Sequence, residues 1–219
     1  MIDIADLVAP HHTALVSVEV QDGVVGEHSL LPDLARAAAP VLPRIAELAG
    51  AARGAGVRVV HCTVDARPDG QGANHNARLF AAMATRDRRG DGGGEGNEGD
   101  VAVGDGIRRA TVHHAVGATP ADVIMGRLHG VSPMTATSLD PVLRNLGVTT
   151  IVATGVSVNV AILGFAFEAV NLGYQFVLPR DGVAGVDDAY VDALFDGTLR
   201  LLATITTCDE VRHAWEARP

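Results

Sequence analysis

Charged side chains stand near the ends of apolar segments, where they could act on a substrate. Glu19 interrupts a valine-rich run close to its carboxyl end, a place where an unpaired charge is unfavourable. It is therefore either an ion-paired residue at a strand end or a buried carboxyl with a raised pKa that serves as general acid or base. Arg127 follows a later apolar run and is a candidate partner, and the loop behind it adds His129 and Ser132.

The segment Gly155–Ala161 joins an apolar run to a helical pattern. Backbone N–H groups at such a helix start favour negative charge, so the segment is either an oxyanion or carboxylate site or a plain strand-to-helix turn. Ser157 is the only hydroxyl in the turn, and no Gly-x-Ser-x-Gly surrounds it. A nucleophile elbow is therefore a weak interpretation.

Metal chemistry has little support in the sequence. His11–His12 and His113–His114 are adjacent pairs, and sequence neighbours rarely face one metal. No His-x-x-x-His and no cysteine pair occurs, so zinc is not expected. Cys62 lies in an apolar run and is expected to be a small buried hydrophobe. We predict a protein with no metal and no cofactor.

Strand-like and helical patterns alternate along the chain and must position these side chains. The pattern predicts strands over 14–20, 57–63, 122–125, 149–154, 174–179 and 204–206, and helices over 34–53, 74–84, 138–146, 158–172, 188–202 and 209–216. This order predicts an α/β fold with a mostly parallel sheet covered on both faces. Sites then lie at the carboxyl ends of the strands.

Length and charge exclude several other classes of protein. The chain has 219 residues, with 17 basic against 26 acidic ones, which give a formal charge of -9. This length predicts a single domain over 1–219, with a glycine-rich acidic insertion at about 89–106 that is either a flexible surface loop or a lid. The charge argues against nucleic acid as a partner. The absence of a run of ~18 apolar residues and the acidic start predict a cytoplasmic protein without a membrane segment.

Several segments together resemble the isochorismatase-like, or cysteine hydrolase, superfamily. Residues 14–21 are similar to its opening strand, an apolar run followed by an acid, any residue and then glutamine. Residues 137–156 resemble its most specific stretch, and residues 168–174 and 181–184 resemble the continuation. The resemblance covers most of the chain except the glycine-rich insertion. It implies a Rossmann-like three-layer α/β/α sandwich with a six-stranded sheet, often assembled as a homodimer or homotetramer. It also implies a non-proline cis peptide at Val156–Ser157.

The family's catalytic residues are all replaced in this chain. The resemblance places its catalytic Asp on Glu19, its Lys on or near Arg127 and its nucleophilic Cys on Ala161. Its metal motif Asp-x-His would fall on residues 65–67, where arginine stands in place of the His. Alanine cannot form the thioester of the amidase members, so the chain is not a nicotinamidase-type enzyme.

Members without the cysteine cleave a vinyl ether by protonation from the acid, and this branch provides the first hypothesis. Glu19 and Arg127 would be catalytic in a metal-free, cysteine-independent reaction, and Gln21, His129, Ser157, Asn159 and Ala161 would bind a small anionic substrate. A permanently charged Arg127 works against a proton donor by lowering its pKa. The alternatives are an inactive member that binds a small ligand or partner, and an amidase or esterase that uses water, Ser157 or Cys62.

Overall fold

The computed structural model of the chain describes residues 3–89, 101–102 and 106–217. Nine strands lie in this part of the chain: β1 (Thr13–Val18), β2 (Arg58–Val64), β3 (Val101–Ala102), β4 (Arg108–Arg109), β5 (Val123–Arg127), β6 (Thr150–Val156), β7 (Gln175–Pro179), β8 (Val183–Ala184) and β9 (Thr204–Thr206). The insertion predicted at 89–106 lies mostly outside the described residues, and β3 is the longest described piece of it.

Ten α-helices lie in the same described part of the chain. They are α1 (Ile4–Leu7), α2 (Asp22–Val25), α3 (Pro32–Ala38), α4 (Leu42–Gly54), α5 (Arg78–Arg89), α6 (Leu139–Asn145), α7 (Leu163–Asn171), α8 (Asp188–Leu194), α9 (Arg200–Leu202) and α10 (Cys208–Glu216). A π-helical turn, Val158–Ile162, leads into α7, and another, Phe195–Leu199, connects α8 to α9. Short 3₁₀ turns occur at Pro10–His12 and Arg180–Gly182. None of the described helices is long and apolar enough to cross a membrane.

The main sheet confirms the predicted α/β class. Its strand order is β5-β2-β1-β6-β7-β9, and every pairing along this path is parallel. The two-residue β8 adds to it by pairing with β6. Because successive side chains of a strand point to opposite faces, Leu15 and Val16 of β1 enter different apolar cores. One core packs β1 and β6 against α4 and α10, and the other packs them against α6 and α7.

The single helix predicted over 34–53 is wrong, because the structure divides it into α3 and α4. Pro40 lies between the two and has no N–H with which to continue a helical ladder. A turn over 39–41 replaces the missing helical bonds, with the Val41 N–H bonded to the Ala38 carbonyl at 2.9 Å. The second proline, Pro43, stands in the first turn of α4, where a missing N–H is tolerated.

A buried polar chain crosses the sheet between β1 and β5. Ser17 Oγ and His61 Nδ1 share a hydrogen bond of 2.6 Å, and His61 Nε2 lies 3.4 Å from Asp122 Oδ2. Arg53 donates to both oxygens of Asp122, from Nε to Oδ1 at 3.1 Å and from Nη2 to Oδ2 at 2.8 Å. The residue types are those of a hydrolytic triad, but Ser17 is 2% exposed and His61 1%. This buried network is therefore a structural link between strands.

The buried network makes stability depend on pH. Burial lowers the pKa of His61, against the opposing pull of Asp122. An unfolded histidine takes up its proton near pH 6.5, whereas the folded one resists it. The unfolded state therefore binds more protons below that pH, and the free energy of unfolding falls as pH drops through this range.

Urea unfolding between pH 7.5 and 5.5 tests this expectation. The wild type should lose stability towards pH 5.5, and His61→Gln, which cannot be protonated, should lose less. Other titrating groups are common to both proteins and cancel in the comparison. Equal losses in the two proteins would contradict the assignment.

Candidate active site

Glu19 comes directly after β1 with an unusual backbone. Its φ is +56°, a left-handed conformation that non-glycine residues seldom adopt and that clusters at functional sites. Its N–H donates to the carbonyl of Cys62 in β2 at 2.8 Å. The chain thus turns at the carboxyl end of β1 while it is still attached to the neighbouring strand, which fixes the starting point of the Glu19 side chain.

Arg127 is the partner of Glu19, as the sequence suggested. It is the last residue of β5, and its Nη2 donates to Glu19 Oε1 across the intervening end of β2. The Glu19 side chain is 17% exposed and that of Arg127 is 3% exposed. Burial raises the pKa of Glu19 above its ordinary value, and the charge and hydrogen bond of Arg127 oppose that rise without cancelling it. The sequence alone predicts that Arg127 lowers the pKa of Glu19, but the effect of burial is larger and the pKa rises.

The Arg127 guanidinium has donor capacity left over. Within the described part of the chain, its Nε and Nη1 are buried without a hydrogen-bond partner. Buried charged donors are expensive to leave unsatisfied. The arginine is therefore suited to donate a further hydrogen bond to an oxygen of water or of a ligand beside Glu19.

A cavity of about 390 Å³ opens at the carboxyl ends of β1 and β6. Five of the predicted site residues line it together: Glu19, Gln21, Ser157, Asn159 and Ala161. The structure does not bring His129 to this cavity. His129 and Arg127 line a neighbouring cavity of about 330 Å³, and Asp65 borders both. Arg127 does not line the first cavity, but it is hydrogen-bonded to Glu19, which does.

Gln21 is held in place by the backbone of β2. Its side-chain Nε2 donates to the Val64 carbonyl at 2.9 Å, and its Oε1 accepts from the Val64 N–H at 2.7 Å. Both ends of the amide are thereby engaged, and the residue is 5% exposed. Gln21 is better placed to position the cavity wall than to bind a substrate with its amide.

The π-helical turn after β6 presents Ser157, Asn159 and Ala161 to the cavity. The peptide Val156–Ser157 is cis, as the family resemblance implied. The N–H groups of Val160 and Ile162 both donate to the Ser157 carbonyl, at 3.2 and 3.0 Å. Two of the donors expected to cradle an oxyanion are therefore already used within the turn.

Neither alternative nucleophile has the geometry that it would need. Cys62 is 1% exposed, and burial raises the pKa of its thiol to about 12, so it remains an unreactive thiol at neutral pH. Ala161, at the family's cysteine position, is apolar and 2% exposed. Ser157 borders the cavity, but no histidine or carboxylate bonds to its hydroxyl in the described residues, so it lacks an activating base.

Asp65 is engaged by an arginine. Its Oδ2 lies 2.9 Å from Arg109 Nη1, and its Oδ1 accepts from the Ala110 N–H at 3.1 Å. Gly126 in β5 makes room for this carboxylate, since a Cβ there would stand 2.2 Å from Asp65 Oδ2. Asp65, on which the resemblance places the aspartate of the family's metal motif, therefore forms an ion pair.

His113 and His114, one of the two adjacent histidine pairs in the sequence, lie side by side. Their rings stack with centroids 4.3 Å apart, and ligand atoms of Asp22, His113 and His114 lie within 4.8 Å of one another. The chain turns here, with the Val116 N–H bonded to the His113 carbonyl. However, His113 Nδ1 accepts the Ala115 N–H at 3.2 Å, which places the proton of neutral His113 on Nε2, facing Asp22. This arrangement fits a histidine–carboxylate contact.

One group of lining residues was missed by the sequence analysis. Leu79, Phe80 and Met83 of α5 border the cavity. Their helical spacing was a visible signal, but it predicts only an apolar face and not what that face covers.

The fold and the sequence both match known proteins. Residues 13–210 match the family model described as the isochorismatase domain. The chain is 30% identical, over 200 residues, to "Ureidoacrylate amidohydrolase RutB" of Methylorubrum extorquens, covering 88% of this chain and 76% of that protein. Two solved structures also resemble it. An isochorismatase family protein from Burkholderia thailandensis has a TM-score of 0.72 at 24% identity, over 94% of this chain and 96% of that one. A cysteine hydrolase from Pseudomonas syringae pv. phaseolicola has a TM-score of 0.75 at 22% identity, over 96% and 95%.

Gly155 allows β6 to approach β1 beneath the cavity. Its φ is +106°, and a Cβ there would stand 2.2 Å from the Val18 carbonyl oxygen. We expect Gly155→Ala to lower the free energy of unfolding by at least about 2 kcal/mol, because the strand must move and the backbone is strained. Urea unfolding measures the change.

Gly50→Ala is the matched control. Gly50 lies inside α4, and a Cβ there would meet nothing within 4 Å. This substitution should stabilise the protein by roughly 0.5–1 kcal/mol. If Gly155→Ala were as well tolerated as the control, the close approach would not constrain the site.

Proposed function

The chain belongs to the isochorismatase family, and from that membership we propose that it is a hydrolase of a small molecule in which Glu19 performs the acid–base chemistry. No cysteine is required in this proposal, because alanine stands at the position of the nucleophile. The observation that carries it is a buried carboxyl, with its pKa raised by burial, on the wall of a cavity that can hold a small molecule.

The raised pKa of Glu19 suits a proton donor. A general acid works best when its pKa lies near the operating pH, because both protonation states are then accessible. Burial moves Glu19 in that direction, and the nearby Arg127 stabilises the carboxylate that remains once the proton has left. Arg127 therefore stabilises the Glu19 carboxylate that forms after proton transfer, while burial keeps the protonated form of Glu19 accessible.

The proposed reaction is hydrolysis of a vinyl ether through a cation. Protonated Glu19 gives its proton to the terminal alkene carbon, and the alkene electron pair forms the new C–H bond. The resulting oxocarbenium ion takes up water, whose proton returns to the Glu19 carboxylate. The hemiketal then separates into a carbonyl compound and an alcohol, so one water molecule is consumed. Ser157 and Asn159 would orient the substrate along the wall, part of which Gln21 forms.

Loss of catalysis is the second candidate. Ala161 has no thiol, and the buried Cys62 has a thiol with a raised pKa, so neither residue supplies an activated nucleophile. A protein of this kind would keep the charged pair and the cavity to bind a ligand without turning it over.

Replacing the acid distinguishes the two candidates. The wild type is assayed against vinyl ethers, amides and esters, and Glu19→Gln should reduce kcat at least about 100-fold on whichever is hydrolysed. Glutamine retains an acceptor for Arg127, so the fold should survive, as checked by the unfolding midpoint.

Asp33→Asn serves as the matched control, since Asp33 also lines the cavity but is exposed and paired with Arg36. It should leave kcat within about twofold of the wild type. Full activity of Glu19→Gln would contradict the proposed role. Binding without turnover of any compound in the wild type would favour the inactive member.

A further inference from the structure

The wall of the Glu19 cavity combines polar and apolar side chains. Glu19 and Gln21 behind β1 and Ser157 and Asn159 behind β6 are polar, and three charged residues also line it, namely Asp33, Asp65 and Arg86. Apolar parts of the wall come from the segments around α3, from the loop after β5, from the segment after β8 and from α5. These apolar residues are Leu30, Leu31, Leu34, Val131, Val186, Leu79, Phe80 and Met83.

The helix α5 supplies three of these apolar side chains, Leu79, Phe80 and Met83. Leu79, Phe80 and Met83 belong to neither of the two apolar cores formed by the described residues. Phe80 and Met83 are half-buried, and Leu79 is 36% exposed. Arg86, one turn further on, donates to the Leu30 carbonyl at 2.8 Å and attaches the helix to the segment that precedes α3.

An apolar helix face that borders a cavity is incompletely removed from water. Covering such a face is favourable in proportion to the apolar area that is buried. A ligand with a hydrocarbon surface would supply that cover, whereas a polar group placed against Leu79, Phe80 and Met83 would lose its hydration without an equivalent partner among these three side chains. The volume of about 390 Å³ lies within the range of small-molecule cavities.

We infer that the substrate carries an apolar body, a hydrocarbon chain or ring, which lies against Leu79, Phe80 and Met83 of α5 while its reactive polar group faces Glu19. The inference rests on the proposed function for the reacting end, and it adds the chemical class of the rest of the molecule. α5 is then the element that selects substrates by the size of their apolar part.

Straight-chain primary amides from acetamide to octanamide are the probe. Each buried methylene contributes about 0.8 kcal/mol, so the Kd should fall about fourfold for each added carbon until the cavity is full. Titrations followed by NMR measure the Kd of each amide for the wild-type protein. Hydrolysis of the same amides is followed in parallel.

Phe80→Ala should weaken hexanamide binding about fivefold or more and leave acetamide within about twofold. Met83→Ala should act in the same direction, and it replaces Phe80→Ala if that variant does not fold. Phe167→Ala is the matched control, because Phe167 is a phenylalanine of α7 that is 46% exposed and does not line the cavity. It should leave the dependence on chain length unchanged.

A Kd that does not change with chain length would overturn the inference, as would equal weakening of acetamide and hexanamide by Phe80→Ala. The same loss in Phe167→Ala would also overturn it. The hydrolysis assays test the proposed function independently of the binding measurements. Length-dependent binding with no hydrolysis of amides, esters or vinyl ethers contradicts the hydrolase but supports the apolar subsite, whereas hydrolysis without length dependence does the reverse.

Discussion

The site depends on one buried ion pair, between Glu19 and Arg127. Two opposite charges at the ends of neighbouring strands are removed from most of the surrounding water, and each would be strongly unfavourable there without the other. The strand order β5-β2-β1 brings them together, because Glu19 leaves β1 and Arg127 ends β5 on either side of β2. Burial determines the direction of the Glu19 pKa, and the arginine limits how far it moves.

The cavity follows from this pair and from the turn after β6. Gly155 lets β6 lie close to β1, and the π-helical turn then carries Ser157 and Ala161 to the same edge as Glu19. With alanine in the place of a thiol, the proposed chemistry at this edge is proton transfer from Glu19. Residues of α5 form another part of the boundary, so the proposed reactivity and the proposed selection by size would come from different elements of the fold.

Much of this arrangement could be predicted from the sequence. Alternating strands and helices determine a parallel sheet, and an acid at a strand end is conspicuous enough to predict both Glu19 and its partner Arg127. The separation of α3 from α4 could have been recognised from Pro40. Other features depend on contacts between distant residues. The engagement of Gln21 by Val64, the stacking of His113 on His114 and the placing of His129 beside another cavity all follow from loop paths that local patterns do not encode.

The central claim is that burial keeps Glu19 available as an acid despite its arginine partner. A carbon-13 NMR titration of the glutamate side-chain carboxyls measures this directly, with the Glu19 signal identified as the one that is missing from Glu19→Gln. We predict a midpoint clearly above that of an ordinary glutamate, which titrates near pH 4.3. A midpoint at or below that value would show that Arg127 dominates, and it would contradict the account of Glu19 as a proton donor.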